Sequence, residues 1–217
     1  MRDGQRIGVV IPARDEEAAI GKVLAAIPSW VDAIVVADNG SRDRTGEIAR
    51  AAGAIVVAEP RPGYGAACLA GLAALPAADI VVFLDGDYSD YPEDMGQLVD
   101  PIVAGRADLV IGSRVLGRAE PGALTPQQRL GNALATWLIR LIWRARYTDL
   151  GPFRAIRRDA LDRLAMGDRD FGWTVEMQIK AAEAGLAHVE VPVRYRARIG
   201  ASKISGTILG TVRAGTK

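Results

Sequence analysis

A chain of 217 residues, with 49% apolar and 24% charged side chains and a formal net charge of +1, holds enough core-forming material for one folded domain. That composition excludes a disordered polymer, and no nucleic-acid partner is expected. Cys68 is the only cysteine, so there is no disulfide framework. No apolar run approaches the roughly 20 residues that span a bilayer, and Met1–Arg6 lacks a leader-like apolar stretch. The expectation is a cytoplasmic protein, at most peripheral to the inner face of a membrane.

Residues 7–11 read as a buried strand ended by Pro12, followed by a helix from Glu16 to Ile27 with acids in its first turn. Ala33 to Ala37 is a second strand. It leads into Asp38-Asn-Gly-Ser, where Ser41 or Asp43 can cap the helix that carries Ile48. Ala54 to Ala58 is a third strand, and Arg61-Pro-Gly-Tyr-Gly65 opens a helix through Leu69 and Leu72. Ile80 to Leu84 is apolar without interruption, as in a strand covered on both faces. A helix over 92–103 and a strand over 108–112 follow. The alternation predicts an α/β fold with a mostly parallel, Rossmann-like sheet flanked by helices.

After residue 115 the pattern loosens. Thr125-Pro126 begins a long helix through Leu130, Leu134, Trp137, Leu138, Leu141 and Ile142, for which core packing is the expected role. The competing reading is an interfacial helix, with Trp137 and Trp143 at headgroup level and Arg140, Arg144 and Arg146 toward anionic lipid. Helices near 159–164 and over 173–184 follow. An edge strand over 188–193, interrupted by Pro192, leads into a basic tail through Arg194, Arg196, Arg198 and Lys203. Charge divides with position: residues 1–110 carry a balance of −8 and residues 111–217 one of +9. One half suits a metal and the other anions.

The chemistry concentrates where the fourth strand ends, at Asp85-Gly86-Asp87. Two carboxylates two residues apart can turn toward one hard cation, Mg²⁺ or Mn²⁺, shared with phosphate oxygens. An acidic turn after a strand is the alternative. Gly63 and Gly65 would let the backbone approach a ligand closely. His188, the only histidine, reads as a strand-entry residue outside the site.

Taken in order, these motifs resemble the family 2 glycosyltransferases, and most closely their polyprenyl-phosphate, dolichyl-phosphate mannose synthase-like branch. The resemblance covers nearly the whole chain, from Ile11-Pro-Ala-Arg-Asp-Glu-Glu17 to Arg198–Lys203. It implies a GT-A fold in one domain, with residues 1–115 as the nucleotide-sugar-binding half and residues 116–217 as the acceptor half. It places Pro12, Arg14, Glu16, Asp38 and Gly63 at the nucleoside, and Asp85, Gly86 and Asp87 at the donor diphosphate and its divalent cation. Ser89 stands where relatives often carry a Gln ligand, with Asp90 as a substitute. Gly112-Ser-Arg114 resembles the basic turn that faces the transferred sugar and phosphates. Arg198, Ser202 and Lys203 resemble a phosphate-holding signature, with Arg196 as a further candidate for that role. Asp149-Leu-Gly-Pro-Phe-Arg154 and Glu176 fall on the acceptor side.

The resemblance implies inverting, single-displacement transfer of a hexose from a UDP- or GDP-linked donor to a lipid phosphate. An anionic phosphate needs positioning by Arg114 and the basic tail. A hydroxyl acceptor would instead need a base, with Asp149 or Glu176 as candidates. Two alternatives stay open: a small phosphorylated or carboxylate acceptor such as a glycerate, and a non-catalytic nucleotide-sugar-binding subunit.

Overall fold

In the computed structural model, residues 1–200 are described. Strands β1 (Ile7–Ala13), β2 (Ala33–Asp38), β3 (Ile55–Ala58), β4 (Ile80–Phe83), β5 (Leu109–Ala119), β6 (Arg154–Arg157) and β7 (His188–Tyr195) share one sheet. Their order is β3-β2-β1-β4-β6-β5-β7. β1 runs parallel to β2 and β4, β2 to β3, and β5 to β7, whereas β6 is antiparallel to both its neighbours. The helices are α1 (Ile20–Ala26), α2 (Thr45–Ala51), α3 (Tyr64–Ala74), α4 (Met95–Val103), α5 (Pro126–Trp143), α6 (Arg158–Leu164) and α7 (Trp173–Glu183).

The sheet sorts side chains by parity. Ile7, Val9 and Ile11 of β1 pack with Ile20 and Val23 of α1, Ala49 of α2 and Leu98 and Ile102 of α4. Val10, Val81 and Phe83 face the other layer, with Cys68 of α3, Leu161 of α6 and Trp173 and Met177 of α7. β4 is central and covered on both faces, so all four of its residues are buried. Each large aliphatic or aromatic side chain buried there is worth about 1.5–3 kcal/mol.

Pro12 does not end β1; it pairs with Ala37. The carbonyl of Val10 accepts from Leu84 N–H, so Val10 and Pro12 both face β4. That strand stops opposite Val10, and the missing proline N–H costs no ladder bond. α1 begins at Ile20 rather than Glu16, with no acid in its first turn. The acids before it bond a neighbouring loop instead. β5 runs seven residues past Gly112, and β7 continues through Pro192 with an irregularity between Ser113 and Arg118.

The largest departure is α5. Only Thr136 and Ile139 of its 18 residues are buried, so the core role expected for its apolar residues does not hold. Asn132 anchors it: its Nδ2 donates to the Thr148 carbonyl (2.9 Å) and its Oδ1 accepts from Leu150 N–H (2.8 Å). Trp143 donates its Nε1–H to Glu183 (2.9 Å) instead of reaching outward.

Candidate functional site

The strand order reverses at β1, so the carboxyl ends of β1, β2 and β4 open into one crevice, the usual ligand position in an open α/β sheet. The loops after β1 and β2 are laced together. Asp15 N–H donates to Ser41 Oγ (3.0 Å) and Arg42 N–H to Asp15 Oδ1 (2.7 Å). Glu16 N–H donates to Thr45 Oγ1 (2.8 Å) and Glu17 N–H to Asp43 Oδ2 (3.0 Å). Pro12 and Glu16 are buried there and Arg14 is half-buried. Asp38 closes β2 and accepts Ser41 N–H on Oδ1 (2.9 Å), a turn role at the crevice wall. Asp43 accepts the Thr45 N–H (3.0 Å) at the start of α2.

Asn39, which no sequence signal singled out, shapes the far wall. Its Nδ2 donates to the carbonyls of Glu59 (3.0 Å) and Arg61 (2.7 Å), and its Oδ1 accepts from Gly63 N–H (2.9 Å). Gly63 and Gly65 make a close approach to the backbone of the 168–169 loop. A Cβ on either would collide with the carbonyl oxygen of Arg169 or Asp168. Gly65 N–H and Ala66 N–H bond the carbonyls of Asp170 and Arg169, both at 2.8 Å.

At the end of β4 the polarity changes within one residue. Tyr64, 21 residues earlier, donates its hydroxyl to Asp85 Oδ1 (3.0 Å). Asp87 is 2% exposed. Its Oδ1 accepts from both the N–H (2.9 Å) and the hydroxyl (2.6 Å) of Ser89, and its Oδ2 is ion-paired with Arg198. Ser89 is therefore a donor to Asp87. Gly86 is buried against Ala13 and the Pro12 carbonyl. Burial, then the charge of Asp87, pushes the Asp85 carboxyl up to about 7. Asp90 is 1% exposed, and neither of its oxygens has a hydrogen-bond partner among the described residues. Burial, with Asp85 and Asp87 nearby, raises it well above the carboxylate range.

The end of the described chain clamps this turn. Arg196 N–H donates to the Ser89 carbonyl (2.9 Å) and Ile199 N–H to that of Asp87 (3.0 Å). The Arg196 guanidinium bonds the carbonyls of Tyr88 (2.6 Å) and Asp90 (3.0 Å) and stacks on the Tyr88 and Tyr91 rings. Tyr88 itself adopts a left-handed conformation (φ 64°). Arg196 is thus engaged by the turn. Ser202 and Lys203 lie outside the described residues.

Beyond the turn, Arg114 and Asp149 form a closed pair. Arg114 N–H (2.7 Å) and Nε (2.8 Å) bond Asp149 Oδ2, and Nη2 (2.6 Å) bonds Oδ1. Burial opposes the Arg114 charge, yet the Asp149 pair raises its pKa above the usual value. Both Asp149 carboxylate oxygens are engaged by Arg114. Glu176 accepts from Gly167 N–H (2.9 Å), Asp168 N–H (2.8 Å) and Lys180 Nζ (2.8 Å). Arg154 is fully buried and bonds the carbonyls of Thr174 (3.0 Å) and Leu150 (3.3 Å); burial pushes it down to about 10. His188 packs on Tyr147 with ring centroids 4.6 Å apart, outside the crevice.

A groove of about 580 Å³ runs from this pair along α5. Arg114, Arg129 and Arg140 give it positive charge, and Val115, Leu124 and Trp137 give it apolar wall. Arg129 carries no site signal in the sequence, and Arg140 reads there only as a lipid-facing residue, because helix periodicity does not say which element a residue faces.

The profile of glycosyl transferase family 2 matches residues 8–165. An uncharacterized glycosyltransferase of Mycobacterium tuberculosis is 41% identical over 213 residues, covering 97% of this chain and 95% of its own. The polyprenol monophosphomannose synthase of Mycolicibacterium smegmatis is 31% identical over 232 residues, covering 95% and 84%. Among solved structures, glucosyl-3-phosphoglycerate synthase from Mycobacterium tuberculosis, in complex with Mn²⁺, UDP and glucosyl-3-phosphoglycerate, superposes with a TM-score of 0.74. It is 28% identical, over 92% of this chain and 73% of its own.

Proposed function

This chain belongs to glycosyl transferase family 2, with the GT-A fold and hexosyltransferase activity of that family, and we propose that it moves a hexose from a nucleoside diphosphate sugar to a polyprenyl phosphate. The observation that carries the acceptor is the groove beside the Arg114–Asp149 pair. Three arginines suit an anionic head, and the apolar wall suits an isoprenoid tail. The name of the Mycolicibacterium relative supports the same class.

In this reading Asp38, Glu16, Arg14 and Pro12 bound the nucleoside site, with Gly63 shaping its wall through Asn39. Asp85 and Asp87 would hold a divalent cation. Their surroundings fit one: two carboxylates share one turn, burial and then the Asp87 charge raise the proton affinity of Asp85, and Asp90 lies beside them with no hydrogen-bond partner among the described residues. Among the described residues no group of three His, Cys, Asp or Glu side chains could hold an ion unaided. Donor phosphate oxygens and water would complete the shell. When bound, the cation supplies stabilisation of the charge that gathers on the departing diphosphate.

Transfer is a single displacement. An acceptor phosphate oxygen forms the new bond to the anomeric carbon as the old glycosidic bond breaks, and that electron pair leaves on the nucleoside diphosphate. The configuration inverts. No proton needs removal from an anionic acceptor, which agrees with Asp149 and Glu176 both being engaged by donors. Arg114, held by three bonds to Asp149, positions the incoming phosphate, and Arg198 adds positive charge beside Asp87.

The likeness to glucosyl-3-phosphoglycerate synthase favours a second reading, with a small phosphorylated acid in the same groove. One experiment separates them. Purified protein is given labelled UDP-glucose or GDP-mannose with a short-chain polyprenyl phosphate or 3-phosphoglycerate, with Mn²⁺ or EDTA. Metal-dependent label in the lipid product supports the proposal. Label only in glycosyl-phosphoglycerate overturns it, and no product with any pair favours a binding subunit.

A further inference from the structure

The amphipathic helix α5 is turned inside out. Its polar Asn132 and Thr136 face the body of the protein, and its apolar stripe faces away. Leu130, Leu134, Trp137, Leu138, Leu141 and Ile142 recur at helical spacing on one side, with Leu130 73%, Trp137 56% and Leu141 63% exposed. Exposed Val115 and Leu116 of β5 add to the apolar surface of this half. A contiguous apolar surface rimmed by charge marks a partner rather than an accident of composition.

The rim identifies the partner. Between Glu120 and Asp149 the chain has no acidic residue, and it carries Arg129, Arg140, Arg144 and Arg146, all exposed. A second copy docked through the same face would bring these arginines against themselves. An anionic lipid surface complements them, while Leu, Ile and Trp side chains enter the boundary between headgroups and acyl chains. No helix among the described residues is long and apolar enough to cross a membrane, so the contact is one of lying on the surface.

We propose that the α5 stripe Leu130–Ile142 with its arginine rim is the surface by which this protein lies on an anionic bilayer. Arg140 and Trp137 belong both to this helix and to the lining of the arginine groove, so the groove mouth opens at the lipid boundary. The inference deepens the lipid-phosphate reading and rests on it for a bilayer as the anionic surface. An acceptor head would enter toward Arg114 without its tail leaving the membrane.

The test is co-sedimentation of the whole protein with phosphatidylglycerol/phosphatidylcholine vesicles and with pure phosphatidylcholine vesicles. Wild type sediments with the anionic vesicles and less with the neutral ones. Binding falls between about 0.1 M and about 1 M salt, as the screening length shrinks from roughly 10 Å to roughly 3 Å. L134E/L141E, two exposed positions outside the groove lining, loses sedimentation while keeping its melting temperature and its stabilisation by nucleotide. Wild type left in the supernatant, or a double variant that sediments as well as wild type, overturns the inference. So does a dimer that the double variant splits, if no vesicle binding accompanies it. Vesicle binding without transfer to lipid phosphate supports this surface and sinks the acceptor reading; transfer to a dispersed short-chain carrier without vesicle binding does the reverse.

Discussion

Glu176 gathers two main-chain N–H groups of the 167–168 loop and the Lys180 ammonium, and this set of donors fixes how its charge enters stability. Burial alone would raise its pKa; Lys180 and the two N–H groups outweigh it and hold the carboxyl below its usual value. A depressed folded value means the contribution is present above the unfolded pKa of about 4.5 and is lost as pH falls through the folded value. Glu176→Gln should cost about 1–3 kcal/mol at neutral pH and flatten the acid limb of a stability–pH curve measured by denaturant melts. An unchanged acid limb would show that the ion pair carries no weight. Asp87 makes the opposite kind of prediction. Asp87→Asn keeps its shape beside Ser89 but removes the charge facing Arg198. Transfer should fall by about 10²–10³-fold with the circular dichroism spectrum retained. Near-wild-type turnover would remove Asp87 from the site.

Elements differ in how plainly residues announce them. β4 was legible because a central strand covered on both faces must be apolar throughout. β6 was not: Arg154-Ala-Ile-Arg157 is short and charged at both ends, and only pairing with β4 and β5, far away in sequence, makes it a strand. The start of α5 was readable in Thr125-Pro126, where Thr125 and Gln128 form a reciprocal capping box. The direction of its stripe was not, because periodicity fixes that one face is apolar and says nothing of what that face meets. The acidic turn at Asp85 and Asp87 was legible at the end of a buried strand, whereas the partners that engage Asp149 and Glu176 depend on tertiary packing. With so little of α5 buried, Asn132 contributes to its attachment beside Ile139 and the Trp143–Glu183 bond. Asn132→Ala removes bonds to Thr148 and Leu150 and should cost about 1–3 kcal/mol. Hydrogen exchange at the Leu150 amide should quicken with it. Unchanged exchange there would mean that other contacts hold the helix.

Across the whole molecule, the acidic first half and basic second half meet at the site. Arg194 pairs with Asp94 (2.6 Å), Arg198 with Asp87, and the 196–199 segment bonds the carbonyls of the 87–90 turn. A ligand at this turn therefore touches strands from both ends of the chain within one cooperative sheet, and its binding energy should enter global stability. At a free concentration 100 times its Kd, a ligand of the folded state adds about 2.7 kcal/mol. For a chain of this size that is on the order of 5–10 °C in Tm. The matching nucleoside diphosphate should give such a shift with Mn²⁺ and lose most of it in EDTA, and comparing UDP with GDP then identifies the donor base. Asp85→Asn/Asp87→Asn should abolish the metal-dependent part of the shift. A shift indifferent to EDTA would place nucleotide binding on the loops of β1 and β2 alone. No shift with either nucleotide would count against donor binding at this edge of the sheet.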